Sequence, residues 1–455
     1  MIRAKHYNVM LSLLVAIVLV LSACSSNSNG SSGSSSPGSG NTDNASKGKK
    51  NITMWTFLDP KGTSPREVAL KEIIDNFERD NPGITVTVEP QTWDTLGSKF
   101  LASHQGKVAP DIIWLAMDDF GTALKQDALA DFESLFLSEW SQEEIADIDD
   151  AYWSFGNKDD KHYQFTLSRN YIGILYREDL LKEKGIEVPF KTWDDLIAAA
   201  QKLTETDQAT GMERYGFGMA FSTKSPDPQI FPPALLSAQG DMFTEEGKAD
   251  WSTEAGVEAL KLQADMVRKY KVTPESAVAA SVEDIYNEFK AGRYAMMIGA
   301  GVRIANLQTD ASFDGKTIQM TYFPSKDGAT FSPSVVNGWN VGVWSGSGHK
   351  EAAGKFVEYL VNPQSDEIWM VKGGQVPARK STMEKNKDFL SQPDKQYLQV
   401  MSEGIAKYGY AQPWEFPVSG WRVDLNDIAQ KVLTSGLDEL KALQEGEAAF
   451  NKRVK

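Results

Sequence analysis

The sequence predicts an α/β protein of two lobes, each a mostly parallel sheet flanked by helices. Strand-like and helix-like segments alternate along the body of the chain, the order that builds a parallel sheet with helices on its faces. About 405 residues follow the polar N-terminal region, more than one hydrophobic core comfortably organises. The chain has 1 cysteine, so no disulfide or cysteine-ligated zinc within it stands in for such a core.

Residues 1–23 carry Arg3, Lys5 and His6 ahead of the mostly apolar run VMLSLLVAIVLVLSA, the form of a secretory signal. The run falls short of the ~20 apolar residues that a spanning helix needs. Leu21-Ser22-Ala23-Cys24 resembles the lipobox of bacterial lipoproteins, in which cleavage before Cys24 leaves that residue to carry lipid. An uncleaved anchor, or a chance cysteine in an ordinary signal peptide, is the alternative. The rest of residues 24–50 is rich in Ser, Gly and Asn, with too little apolar surface to offset the entropy of ordering. It is expected to be a flexible tether.

The body opens with the β-prone run NITMWTF at Asn51–Phe57. Glu67–Glu78 then places Val68, Ile73, Ile74 and Phe77 near one helical stripe. Pro82-Gly83 breaks the chain before the alternating strand ITVTVEP. A helix at residues 94–105 leads into PDIIWLA, a third strand. A second series starts with the strand YIGILY at Tyr171–Tyr176. Thr192 and Asp195 form a capping-box-like start to DDLIAAAQKLT, and Ser252 or Thr253 opens the next helix. Ser281 and Asp284 start SVEDIYNEFKAG, which Gly292 ends before the strand YAMMIG.

Composition narrows the function. The net charge is −15, and loss of Arg3 and Lys5 with the leader makes it more negative, which argues against nucleic acid and for a soluble, weakly self-associating monomer. No G-x-S-x-G elbow, P-loop or H-E-x-x-H motif occurs, and GAGVRI at Gly299 lacks the third glycine of a dinucleotide loop. His104, His162 and His349 are scattered singly, so no cofactor or metal is expected. Acidic pairs at Asp118-Asp119, Asp149-Asp150, Asp159-Asp160 and Asp194-Asp195 admit a glycoside hydrolase, but adjacent carboxylates do not by themselves face each other across a sugar.

Of the 12 tryptophans, Trp339, Trp414 and Trp421 stand in turn-rich sequence, while Trp55, Trp114, Trp193 and Trp369 read as core. An indole offers a flat apolar face and one N–H donor, which match the mixed surface of a sugar ring.

Several segments resemble the extracellular solute-binding proteins of ABC importers, in the branch that contains the maltodextrin-binding proteins. They are TMWTFLDPKG, PDIIWLAMDDFG, NYIGILYREDLLKEKGIEVPFKTWDDL, FKAGRYAMMIGAG and NGWNVGVWSGSGHKEAAGKFVEYL, and their order covers essentially residues 51–455. The resemblance implies a type II periplasmic-binding-protein fold with a sugar held between the lobes. It puts residues 51–167 with 319–370 in one lobe and 168–318 with 371–455 in the other. Crossovers are expected near Thr166–Tyr171, Ile318–Phe323 and Glu367–Lys372.

Mapped on that pattern, polar contacts after the first strand fall on Asp59 and Lys61, beside Phe57. Asp118 is the acidic residue after the third strand, and Asp119 stands where that branch has arginine. Asn170 replaces an acidic hinge contact between Arg169 and Tyr171, and a stacking tryptophan maps onto Trp421. Other stacking positions are lost: one is Leu115, one falls near Gly301 or Val302, and one falls at Gln229, beside Asp227. Trp93, Phe221, Phe231, Trp339 or Trp414 would have to replace them. The expectation is therefore a lipid-anchored protein on the extracellular face of the membrane that captures a sugar or oligosaccharide other than maltodextrin. It would do so by hinge closure, deliver the ligand to the permease subunits of an ABC importer, and catalyse nothing. The alternatives are a secreted glycoside hydrolase, a sensor or adhesin on the same fold, and a binder of glycerophosphate-type esters through Arg169, Arg303 or Arg379.

Overall fold

A computed structural model of the chain describes residues 49–153, 157–206, 208, 211–224, 230–411 and 420–454. The leader and residues 24–48 of the tether with Cys24, and also Gln229 and Trp414, lie outside them, while Lys50, expected in the tether, opens the first strand. The first series is β1 (Lys50–Thr56), α1 (Pro65–Asp80), β2 (Ile84–Pro90), α2 (Leu96–Gln105), β3 (Ile112–Ala116) and α3 (Met117–Lys125). β1 lies between β2 and β3 and runs parallel to both, so their carboxyl ends open on one edge. α1 forms because Ala69, Leu70, Ile73, Ile74 and Phe77 share a buried face. Pro65 starts it where no N–H is needed, and the Glu67 carboxylate accepts the Ser64 N–H at 3.0 Å.

The second series begins with β4 (Phe165–Arg177), followed by α4 (Trp193–Leu203), β5 (Glu213–Gly218), α5 (Glu254–Arg268), α6 (Val282–Lys290) and β6 (Tyr294–Ala300). Then come β7 (Ile318–Thr321), β8 (Ser334–Val343), α7 (Pro363–Val371), α8 (Gln396–Tyr408), β9 (Gly409–Tyr410), α9 (Trp421–Ser435) and α10 (Glu439–Arg453). The expected caps form. Thr192 Oγ1 accepts the Asp195 N–H at 3.1 Å, and the Asp195 carboxylate accepts the Thr192 N–H at 3.0 Å. Ser281 and Asp284 make the same exchange, and Thr253, not Ser252, caps α5.

One sheet of 10 strands runs in the order β2-β1-β3-β8-β4-β6-β5 to the short edge strand Glu205–Thr206, with β7 beside β4 and β9 beside β8. β5 and β6 are parallel; β3-β8, β8-β4, β4-β6 and β4-β7 are antiparallel. Two cores lie along this sheet. One draws on residues between 52 and 167 and between 341 and 378; the other draws on 171–335 and 370–450. Trp55, Trp114 and Trp369 are buried in the first and Trp193 in the second, as the sequence led us to expect.

β4 is buried along its whole length and passes from one core to the other, with Phe165 and Leu167 in the first and Tyr171 in the second. It is longer than the YIGILY run, because its polar first half is paired inside. The Thr166 hydroxyl donates to Asn340 Oδ1 at 2.8 Å, and the Ser168 hydroxyl donates to Gln375 Oε1 at 2.6 Å. β8 makes the second passage, with a register shift against β4 between Trp339 and Asn340. That passage was expected near Ile318–Phe323. Instead β7 pairs with Ile174–Arg177 of β4, and Ile318, Met320 and Phe323 pack in the second core. Trp369 in the first core and Met370 in the second mark a third passage at α7.

Candidate ligand-binding site

In open α/β sheets ligands bind beyond the carboxyl ends of the strands. At that edge of the first core, β1 runs into the Phe57–Gly62 loop and β2 into residues 91–95, which Gln91 ties back by donating its N–H to the Thr56 carbonyl at 2.8 Å. Asp59 shapes its own turn: Oδ1 accepts the Lys61 N–H at 2.9 Å, and its N–H donates to Glu67 Oε1 at 3.3 Å. Lys61 is exposed, and Phe57, Trp93 and Trp339 are half-buried. The Phe57 ring lies 4.4 Å from that of Trp339 and edge-on to Trp114 at 6.1 Å. Asp119, half-buried on α3, lies against Gly97, where a Cβ would stand 2.1 Å from Oδ2. Asp118 is its neighbour on α3.

At the corresponding edge of the second core, β6 ends in the single turn Gly301–Arg303. Arg303 Nη1 donates to Glu283 Oε2 at 3.1 Å and Nη2 donates to Oε1, while the guanidinium lies 4.8 Å over the Tyr286 ring. Tyr286 is itself fixed, its hydroxyl accepting the Ala300 N–H at 2.7 Å. From the first core, the Arg66 guanidinium lies 5.2 Å over the Phe57 ring. Loss of solvent, and then the Arg303 charge, push its pKa down to about 10. The two edges therefore come close: Arg66 of one feels the charges of Arg303 and Glu283 of the other. Arg66 escaped the sequence reading because in SPRE it looks like a solvated first-turn residue; its only signal was the helix that follows the expected loop.

The three residues expected at the hinge divide by face. Asn170 turns toward the cleft side, where its Oδ1 accepts the Val302 N–H at 3.3 Å. Its neighbours alternate away from it. Arg169 is buried with its guanidinium 6.0 Å over Tyr152, Nε and Nη1 have no hydrogen-bond partner among the described residues, and burial lowers its pKa. Tyr171 is fully buried, its hydroxyl unpaired among the described residues and its pKa raised by burial. A cavity of about 520 Å³ beside Tyr152, lined also by Asp149, Val376 and Ile405, contains none of the residues expected to hold a sugar, but it includes Arg379, named above for a phosphate ester.

Three stacking expectations are corrected by burial. Trp421 starts α9 with 0% exposure, edge-on to Phe243 at 6.5 Å, because Leu425, Ile428 and Ala429 carry that helix face into the second core. Phe221 and Phe231 are buried in the same core. Phe57, Trp93 and Trp339 are the half-exposed expected aromatics among the described residues.

Residues 72–415 match the family model of bacterial extracellular solute-binding proteins. The chain belongs to that family. This solute-binding protein is 27% identical over 230 residues to a putative binding protein of Brucella abortus, covering 50% of the chain and 54% of that relative. The chain thus spans about half the length of that curated relative. Over 340 residues it is 24% identical to a putative ABC transporter periplasmic-binding protein of Escherichia coli, covering 74% and 75% of the two chains. In fold it is similar to an ABC substrate-binding protein of Listeria monocytogenes in complex with cycloalternan, with a TM-score of 0.73, 24% identity, and coverage of 89% and 99%. The fold of the solute-binding protein is accordingly the two-lobed one of periplasmic binding proteins.

Proposed function

We propose that this solute-binding protein captures a sugar or oligosaccharide between its lobes by hinge closure and passes it to the membrane subunits of an ABC importer. The observation that carries the reading is the half-exposed Phe57–Trp339 pair at the carboxyl edge of one core, opposite Arg303 and Tyr286 of the other. Each half-site alone is incomplete, and a ligand that touches both favours the closed form by its differential affinity. Stacking on Trp339 and Trp93 supplies apolar burial, and Asp59, Lys61, Asp118, Asp119 and Asn170 read the hydroxyls.

No chemical step is needed. Glu67 is engaged by Ser64 and Asp59, and Glu283 by Arg303, an arrangement that favours holding a ligand over hydrolysing it. The lobes we propose to close are residues 51–167 with 341–369 and residues 171–335 with 370–454. Lipid on Cys24 and the tether would hold this monomer at the extracellular face of the membrane, at high local concentration near its permease. The relative bound to cycloalternan supports an oligosaccharide ligand.

A thermal-shift screen of the full chain against mono- and oligosaccharides, with calorimetry and product analysis of the hits, tests this. A ligand bound only by the folded state raises stability as RT ln(1 + [L]/Kd). An upward shift without turnover is expected. Product formation would establish the glycosidase instead, and silence with every sugar would reject the carbohydrate reading.

A further inference from the structure

At the edges described above, Arg66 is a guanidinium that no carboxylate among the described residues clasps, although the charges of Glu67 and Glu283 act on it from farther off. Arg66 is half-buried, and its contact is the Phe57 face at 5.2 Å; among the described residues it makes no hydrogen bond or ion pair. The neighbouring acids are taken. Glu67 accepts from the Ser64 N–H at 3.0 Å and the Asp59 N–H at 3.3 Å. Glu283 is clamped by both terminal nitrogens of Arg303, and Asp59 Oδ1 holds its own turn. A partly desolvated guanidinium without a paired anion is a cost to the folded protein. Lost solvent and the Arg303 charge lower the Arg66 pKa, and the pull of Glu67 and Glu283 only partly opposes them. An aromatic face under the guanidinium fixes its plane while leaving its edge N–H groups free. Such an edge matches two oxygens of a carboxylate, sulfate or phosphate.

We propose that the ligand is an acidic carbohydrate, and that Arg66 holds its anionic group while the sugar ring lies along Phe57 and Trp339. The inference rests on the carbohydrate reading and adds the charge of the ligand to it. Arg303 contributes positive potential from the opposite lobe without giving up Glu283. Because Arg66 and Arg303 belong to different cores, an anion placed near both also relieves their mutual repulsion, and closure then depends on that anion.

Calorimetry on the full chain with matched probes tests the idea: glucuronate against glucose, galacturonate and short oligogalacturonides against galactose and its oligomers, and glucose 6-sulfate and glucose 6-phosphate. The acidic member of a pair should bind about tenfold tighter or more. Arg66→Ala should bring the ratio of acidic to neutral affinity to about one, whatever it does to both, and Arg66→Lys should keep part of the ratio. The carboxylate, sulfate and phosphate arms separate the possible anions. Neutral twins that bind as tightly as the acids, or an acid preference that survives Arg66→Ala, would overturn the inference and leave the carbohydrate reading standing. Binding of glycerol phosphate with no sugar bound would keep the anion and overturn the carbohydrate. Silence of every probe would overturn both.

Discussion

Trp339 and Gly404 make opposite demands on an aromatic ring. Trp339 is half-buried against Phe57 and has a face left for a ligand. Replacing it by alanine should weaken carbohydrate affinity by about tenfold with little change in stability, as titration calorimetry and unfolding would show. Gly404, on α8, lies under the Tyr171 ring, and an added Cβ would stand 2.8 Å from that ring. Gly404→Ala should therefore cost about 1–3 kcal/mol in denaturant unfolding, since both the ring and the strand that carries it are buried. An unchanged midpoint would mean that Tyr171 can move.

At the scale of elements, α7 carries Asp366, whose carboxylate accepts the Ala378 N–H at 2.8 Å and the Arg379 N–H at 3.1 Å. Burial nevertheless raises its pKa to about 6. A carboxyl whose folded pKa lies above its unfolded value binds its proton more tightly when folded. Its contribution to stability is thus full at low pH and is lost as pH rises from about 4 to about 6. Measured against Asp366→Asn over that window, the native chain should lose up to about 3 kcal/mol. A constant difference would refute the shift. Elements also show what the sequence made legible. Helices whose caps are local, such as those started by Thr192 and Ser281, were readable because cap and partner lie three residues apart. The first half of β4 was not, because Thr166 and Ser168 are satisfied by Asn340 and Gln375, far along the chain. The site divides in the same way. Phe57 and Asp59 follow a recognisable strand, whereas the role of Arg66 depends on Arg303 from the other core.

For the whole molecule, capture by closure predicts that a saturating ligand lowers the radius of gyration in small-angle scattering; an unchanged value would reject hinge closure. Cys24→Ser should release the folded protein from the membrane fraction without altering ligand affinity, and retention of the variant in that fraction would reject the lipid anchor. The two cores also set an order of assembly. The first is completed only by residues 341–378, although most of it is drawn from residues 52–167. At a synthesis rate of about 5–20 residues per second, roughly 170 intervening residues delay its closure by about 10–35 s. During that interval the N-terminal half lacks the strand and helix that seal its core. A chain exported while still being made would meet the translocation pore unfolded, without a holding factor to keep it so.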